Sequence, residues 1–228
     1  MKNKATNKPA VTEYADTKAQ VLQRQALVEN IAANGITDVN VLTAIGKLPR
    51  QFFMPAGTEA DAYTDKAFPI GEGQTISQPY TVAYQTQLLR VHPGHKILEV
   101  GTGSAYQAAV LAMMGAIVYT IERQKKLYDR AMHFSYLQTL PGLHFCHGDG
   151  FEGWPDEAPF DRILVTAAPD TIPPALTTQL RPGGILVAPV GAKGLQRMIR
   201  ITKGEDGQLT EELFEHFSFV PMLRGKVE

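Results

Sequence analysis

The chain has 228 residues, 44% of them hydrophobic, with 22 basic side chains against 23 acidic ones and one cysteine. That length suffices for one well-buried domain, and the even charge balance argues against nucleic acid as the main partner, which would require a basic face. No run of about 18 apolar residues occurs, so no membrane span is expected, and the lone Cys146 in "LHFCHG" reads as a structural thiol that can form no disulfide within the chain.

Residues 1–10, "MKNKATNKPA", are polar and basic with no apolar segment after them, which predicts a flexible leader over 1–15 and a cytoplasmic protein. Val21, Leu22, Leu27, Val28 and Ile31 recur at helical spacing from Asp16 to Ala33, with Asn34-Gly35 as the stop. Thr37 or Asp38 can cap a second helix that ends before Pro49, and Gln51 to Tyr63 reads as loop. "PIGEGQTISQPYTVA" follows, a glycine-rich stretch leading into a helix.

From Lys96 the pattern alternates. "KILEV" is a strand, "AYQAAVLAMM" a helix, "AIVYTI" a strand, and "RQKKLYDRAMHFSYLQTL" a helix. "LHFCH", "DRILVTAA" and "GILVAPV" are further strands, with a short helix in "IPPALTTQL". "LQRMIRITKGEDGQLTEELFEHFSFVPM" is two extended runs around an Asp-Gly turn. The fold class is α/β: a mostly parallel central sheet ending in an antiparallel hairpin, with a helical N-terminal extension over 16–68 and a single domain over 16–228.

Ligands of such sheets bind beyond the carboxyl ends of the strands. There "EVGTGSAY" places Gly101 and Gly103, which let the backbone turn and approach a ligand. Glu122 ends the next strand, where a carboxylate can accept both hydroxyls of a ribose, and Asp149-Gly150 follows the third, where an adenine amino group needs an acceptor. Each has a plainer reading: a glycine turn, a helix cap at Glu122, a tight turn at Asp149. A nucleoside ligand is NAD or S-adenosylmethionine. Tyr106 stands where the dinucleotide fingerprint needs a small residue, and Glu99 would repel a pyrophosphate, so the sulfonium donor suits the residues better.

"FPIGEGQTISQP" (Phe68 to Pro79), "ILEVGTGSAY", "GDG" and "PFDRILVTAAP" together resemble the protein-L-isoaspartate O-methyltransferases, in their bacterial type. The likeness runs from about Asn34 to the tail "FSFVPMLRG". It implies the Rossmann-like class I methyltransferase fold. It also implies methyl transfer from S-adenosylmethionine to the α-carboxylate of L-isoaspartyl residues in damaged peptides and proteins, with repair through a succinimide. By residue, the resemblance makes Gln74, Thr75, Ile76 and Ser77 the loop between donor and acceptor, with Ser77 the active-site serine. Glu99, Gly101, Gly103 and Ser104 match the donor motif, Glu122 the ribose acceptor, Asp149 and Gly150 the adenine contacts, and Val220 and Pro221 the peptide groove. Ala105 departs from the motif, which carries a third glycine there; glycine near a helix start would be expected to cost about 0.5–1 kcal/mol of chain entropy.

A carboxylate acceptor is ionised at neutral pH, so the chemistry needs no general base and no metal. The six histidines show no ligand spacing, and no G-x-S-x-G surrounds Ser77, which therefore is not read as a covalent nucleophile. The expected partners are isoaspartyl peptides and proteins, with no nucleic acid, no membrane and no obligate protein partner.

Overall fold

The computed structural model describes residues 14–192 and 194–228. Most of the expected leader lies outside the described residues. Tyr14, within it, packs edge-on to Phe52 with ring centroids 5.0 Å apart and hydrogen-bonds Ser135.

Helix α1 (Lys18–Ala33) opens with a capping box: the Thr17 hydroxyl accepts from the Gln20 amide N–H and the Gln20 side chain accepts from the Thr17 amide N–H. Asp38 caps α2 (Val39–Lys47) through the amides of Asn40 and Val41. Two 3-10 turns occupy the stretch read as loop. The sequence "FPIGEGQTI" forms a small antiparallel hairpin, β1 (Phe68–Gly71) with β2 (Gln74–Ile76), which the alternation pattern was too short to announce. Its tip turns through Gly71, Glu72 and Gly73, all at positive φ. Helix α3 (Pro79–Leu89) follows, begun by a proline whose missing N–H costs nothing at that position.

The main sheet has seven strands in the order β5-β4-β3-β6-β7-β8-β9. Strands β3 (Lys96–Val100), β4 (Ile117–Glu122), β5 (Leu143–His147), β6 (Phe160–Val165) and β7 (Leu180–Val190) are parallel. Strands β8 (Gln196–Lys203) and β9 (Leu209–Phe217) add antiparallel at one edge. Between them run α4 (Tyr106–Met113), α5 (Lys125–His133) and α6 (Pro174–Gln179). The long helix expected over 123–140 stops at His133. Phe134 turns out of the helix to pack on Phe53, and a 3-10 turn carries the chain on to Thr139.

Alternate residues of one strand feed opposite faces. Ile97 and Leu164 join the apolar cluster that also holds Leu27, Ile45 and Leu111, while Leu98 and Ile163 join the cluster around Leu176 and Phe160. Strands buried on both faces carry no polar alternation, and these do not. The helical extension therefore shares its core with the sheet. Among the described residues, no helix is long and apolar enough to cross a membrane.

The order of connection reverses at β3: the chain goes to β4 and β5 on one side and to β6 and β7 on the other. A crevice opens at such a switch point, beyond the carboxyl ends of the strands.

Candidate active site

A cleft of about 870 Å³ lies at that point, within the roughly 300–1,000 Å³ of small-molecule sites. Its floor is the end of β3 and the turn after it. Gly101 has φ +107°, and a Cβ there would stand 2.5 Å from the Thr166 hydroxyl. Thr166, at the end of β6, donates to the carbonyls of Val100 and Gly101 at 2.9 and 2.7 Å. Thr166 drew no attention in the sequence, although its place at a strand end was the available signal. Gly150 borders the same floor; a Cβ there would overlap Val100 and stand 3.2 Å from Met222. Only glycine lets these two backbones pack against Thr166 and Val100 as closely as they do.

Glu122 is 4% exposed and projects from the end of β4. One carboxylate oxygen accepts from the Gly103 amide at 2.9 Å and the other from the Gln124 amide at 2.8 Å. It thus both caps the turn into α5 and pins the glycine turn. Each oxygen keeps a second lone pair for a ligand hydroxyl. Burial raises its pKa, while the backbone donors pull the other way.

The hairpin β1–β2 sits over the glycine turn. A Cβ on Gly103 would meet Ile70 at 3.6 Å and the Thr75 carbonyl at 3.9 Å. Helix α5 holds the hairpin from the side: Arg130 donates to the Ile70 carbonyl at 3.0 Å and Lys126 pairs with Glu72 at 3.1 Å. Asp65 anchors its exit, accepting from the Tyr80 amide at 2.8 Å and the Gln78 side chain at 3.0 Å. Ser77 is half-buried in the cleft wall just before α3, and Thr75 is exposed beside it.

The C-terminal segment closes the remaining side. The Val220 carbonyl accepts from the Ala168 amide and the Met222 amide donates back to Ala168, both at 2.8 Å. Further along, Val227 exchanges backbone hydrogen bonds with Arg123 and Lys125 at the end of β4. The tail spans the strand ends between these two ties.

The cleft thus gathers Gln74, Thr75, Ile76, Ser77, Gly101, Gly103, Ser104, Glu122, Gly150, Val220 and Pro221. Glu99 and Asp149 are not in its wall. Glu99 is fully buried beneath the turn, one oxygen accepting from the Thr120 hydroxyl at 2.5 Å and the other without a partner. Burial pushes its pKa up to about 8, against the Thr120 hydrogen bond and with the Glu122 charge. The Asp149 carboxylate accepts from the Phe151 amide at 2.9 Å and from the Gly225 amide at 2.7 Å, so it ties down the tail. Among the described residues no cluster of three or more metal-ligating side chains occurs.

The family model for protein-L-isoaspartate(D-aspartate) O-methyltransferase matches residues 22–227. The chain belongs to this family. It is 48% identical to a protein-L-isoaspartate O-methyltransferase of Flavobacterium psychrophilum over 211 residues, covering 92% of this chain and 99% of the relative. Another of that name, from Halorhodospira halophila, is 48% identical over 206 residues, covering 90% and 93%. Among solved structures, a protein-L-isoaspartate O-methyltransferase superposes with a TM-score of 0.78 at 26% identity, covering 87% of this chain and 65% of that one. A Plasmodium falciparum structure described as a putative member in complex with S-adenosyl-L-homocysteine gives 0.77 at 24%, covering 88% and 98%; at that identity it bears on the fold.

The enzyme is an S-adenosylmethionine-dependent methyltransferase. Its cleft can take such a donor: it lies beyond the strand ends against the glycine turn, and Glu122 lines it with lone pairs that the Gly103 and Gln124 amides leave unused. Class I methyltransferase architecture and the antiparallel C-terminal hairpin agree with the sequence expectation.

Proposed function

We propose that this chain performs the reaction of its family with its own residues in the following roles: transfer of a methyl group from S-adenosylmethionine to the α-carboxylate of an L-isoaspartyl residue in a damaged peptide or protein. One observation carries the division of labour. The hairpin with "GQTIS" lies directly on the glycine turn, so the acceptor loop and the donor cradle share one wall at Gly103 and Thr75. The bound donor supplies an electrophilic methyl on a sulfonium, which leaves as a neutral thioether.

Glu122 accepts the ribose hydroxyls on its spare lone pairs. Gly101, Gly103, Ser104 and Gly150 let the backbone lie against the donor. Glu99 and Asp149 act one step back, under the turn and on the tail. On the acceptor side, Ser77 orients the incoming carboxylate, Gln74, Thr75 and Ile76 shape the passage, and Val220 and Pro221 line the peptide path.

The acceptor carboxylate is already ionised, so no residue need remove a proton. What the protein contributes is placement, which can be worth roughly 7–11 kcal/mol when reacting atoms are held in line. A neutral serine suits that task better than a cation, because a tightly bound oxygen is a poorer nucleophile. The decisive experiment offers labelled donor to an isoaspartyl peptide and to its aspartyl twin. Label in a base-labile ester on the first alone is the expected result; equal labelling of both, or of neither, would overturn the substrate assignment.

A further inference from the structure

Arg50 is 0% exposed, yet it has no carboxylate partner within ion-pair distance among the described residues. Its Nε and Nη1 have no hydrogen-bond acceptor, and Nη2 makes one long bond, 3.4 Å, to the Lys66 carbonyl. Burial holds its pKa below the usual arginine value. An uncompensated buried cation is costly, and an apolar side chain of the same volume would fill this space more cheaply. Such a group in a native core calls for an explanation.

Its neighbours supply one. The guanidinium carbon lies 4.9 Å from the centroid of the Tyr106 ring, and Phe53, from the same 3-10 turn as Arg50, packs edge-on to that ring at 5.3 Å. Tyr106 is the first residue of α4, directly after the glycine turn, and it lines the cleft. On the other side, Lys66 precedes Ala67, also in the cleft wall, and Phe68, which begins the acceptor hairpin. The carboxylate that bears on the Arg50 charge is Asp65, whose two oxygens are already held by the Tyr80 amide and the Gln78 side chain at the exit of that hairpin. One buried cation therefore touches both halves of the site from behind.

We propose that Arg50 is a positioning residue for the acceptor. It fixes the spacing between the donor turn, through Tyr106, and the acceptor hairpin, through Lys66, and its unpaired charge draws an anionic acceptor toward the wall without contacting the reacting oxygen. The last point matters chemically. A direct arginine contact would hold the carboxylate but blunt its attack; a cation one aromatic ring behind the wall attracts without that cost, since Coulomb forces reach several ångströms in a low-dielectric interior. A face-on cation–π contact also keeps the guanidinium in place where no carboxylate does.

The inference rests on the isoaspartyl reading above, so the test separates the two. Calorimetry with S-adenosylhomocysteine present measures isoaspartyl peptide binding to the parent, to Arg50→Met and to Arg50→Lys. Donor binding and the urea midpoint are recorded for each. If the parent itself binds no isoaspartyl peptide, the substrate reading fails and the inference falls with it. If the parent binds, the expected result for Arg50→Met is at least tenfold weaker peptide binding, donor affinity within threefold, and an unchanged or higher urea midpoint. Arg50→Lys, which keeps the charge but not the planar clamp, should recover part of the lost peptide affinity. Unchanged peptide binding in Arg50→Met would sink this inference alone. Parallel losses of stability, donor and peptide binding in both variants would make Arg50 merely structural. Should the methionine variant not fold, the lysine variant still decides: weakened peptide binding with donor binding kept supports the role, and full retention or parallel loss ends it.

Discussion

The most direct test of the site's foundations is Glu99→Gln. In the folded protein Glu99 has its pKa raised from 4.5 to about 8, chiefly because burial penalises the charged form. In the unfolded chain it returns to the ordinary value. A carboxyl raised on folding contributes stability that is fully present below the unfolded pKa and is lost as pH rises through the folded one. The window is therefore pH 4.5 to about 8. At about 1.4 kcal/mol per pH unit, the stability lost across it is on the order of 3–5 kcal/mol, a large share of a domain's typical 5–15.

Glutamine mimics the protonated acid and cannot ionise, so this pH dependence should vanish in the variant. Its amide oxygen can still accept from Thr120, which sits between Glu99 and Thr102 in a chain of side-chain hydrogen bonds of 2.5 and 2.7 Å. Urea unfolding of both proteins at pH 5, 7 and 9 is the assay. Their stabilities should diverge as pH rises, the variant becoming the more stable of the two relative to its standing at pH 5. Parallel curves from pH 5 to 9 would refute the account of Glu99 as an acid held neutral by burial. Donor affinity at pH 6 adds a second check: since Glu99 lies outside the cleft wall, it should change by less than about threefold, under roughly 1 kcal/mol.

Glu122→Ala should weaken donor binding by roughly tenfold or more, since charge-assisted hydrogen bonds contribute about 1.5–3 kcal/mol each; unchanged affinity in calorimetry would leave Glu122 as a cap and a pin for Gly103 only. Ala105→Gly should bind the donor at least as well as the parent. Its stability, from the urea midpoint, should stay within about 1 kcal/mol, because relief of left-handed strain, about 1–2 kcal/mol, offsets chain entropy of about 0.5–1 and a buried methyl worth about 0.8. Ser77→Ala should slow transfer about tenfold to a hundredfold while donor affinity stays within about threefold, as expected for loss of orientation rather than of a nucleophile; a Ser77→Cys enzyme that accumulates a methyl thioether and passes the label to peptide would sink direct displacement.

The Ala105 prediction shows where sequence reading stopped. From sequence, a glycine at 105 looked costly, as near any helix start. The structure gives Ala105 φ +63°, a left-handed residue that cannot be recognised without the turn around it. The strand–helix alternation from Lys96 onward was legible because hydrophobic period is a local property, and it yields the α/β class. Strand order, and with it the switch point at β3, is not local. The helix over 123–140 was overrun because Phe134 continues the apolar pattern but is claimed by Phe53 across the fold. Likewise Asp65 and Arg50 stand outside the quoted motifs and Thr166 inside one with no role attached; what each does comes from what it faces.

The same limit explains why a base-free reaction can still demand so much structure. Glycine turns and a carboxylate can be read from spacing and the serine from the family resemblance, and these are the groups proposed to meet the ligands. They do not show why the acceptor loop stays where the methyl is. That depends on the hairpin's fixings: Arg130 on the Ile70 carbonyl, Lys126 on Glu72, and Asp65 on the Tyr80 amide. Two of these come from α5, the helix that begins just past Glu122. Glu122, at the end of β4, caps the turn into that same helix through the Gln124 amide, so the carboxylate and the hairpin's fixings meet at the β4–α5 junction. A displacement that draws its rate from alignment needs its two partners referred to a common frame, and the junction of β4 with α5 is where this fold offers one.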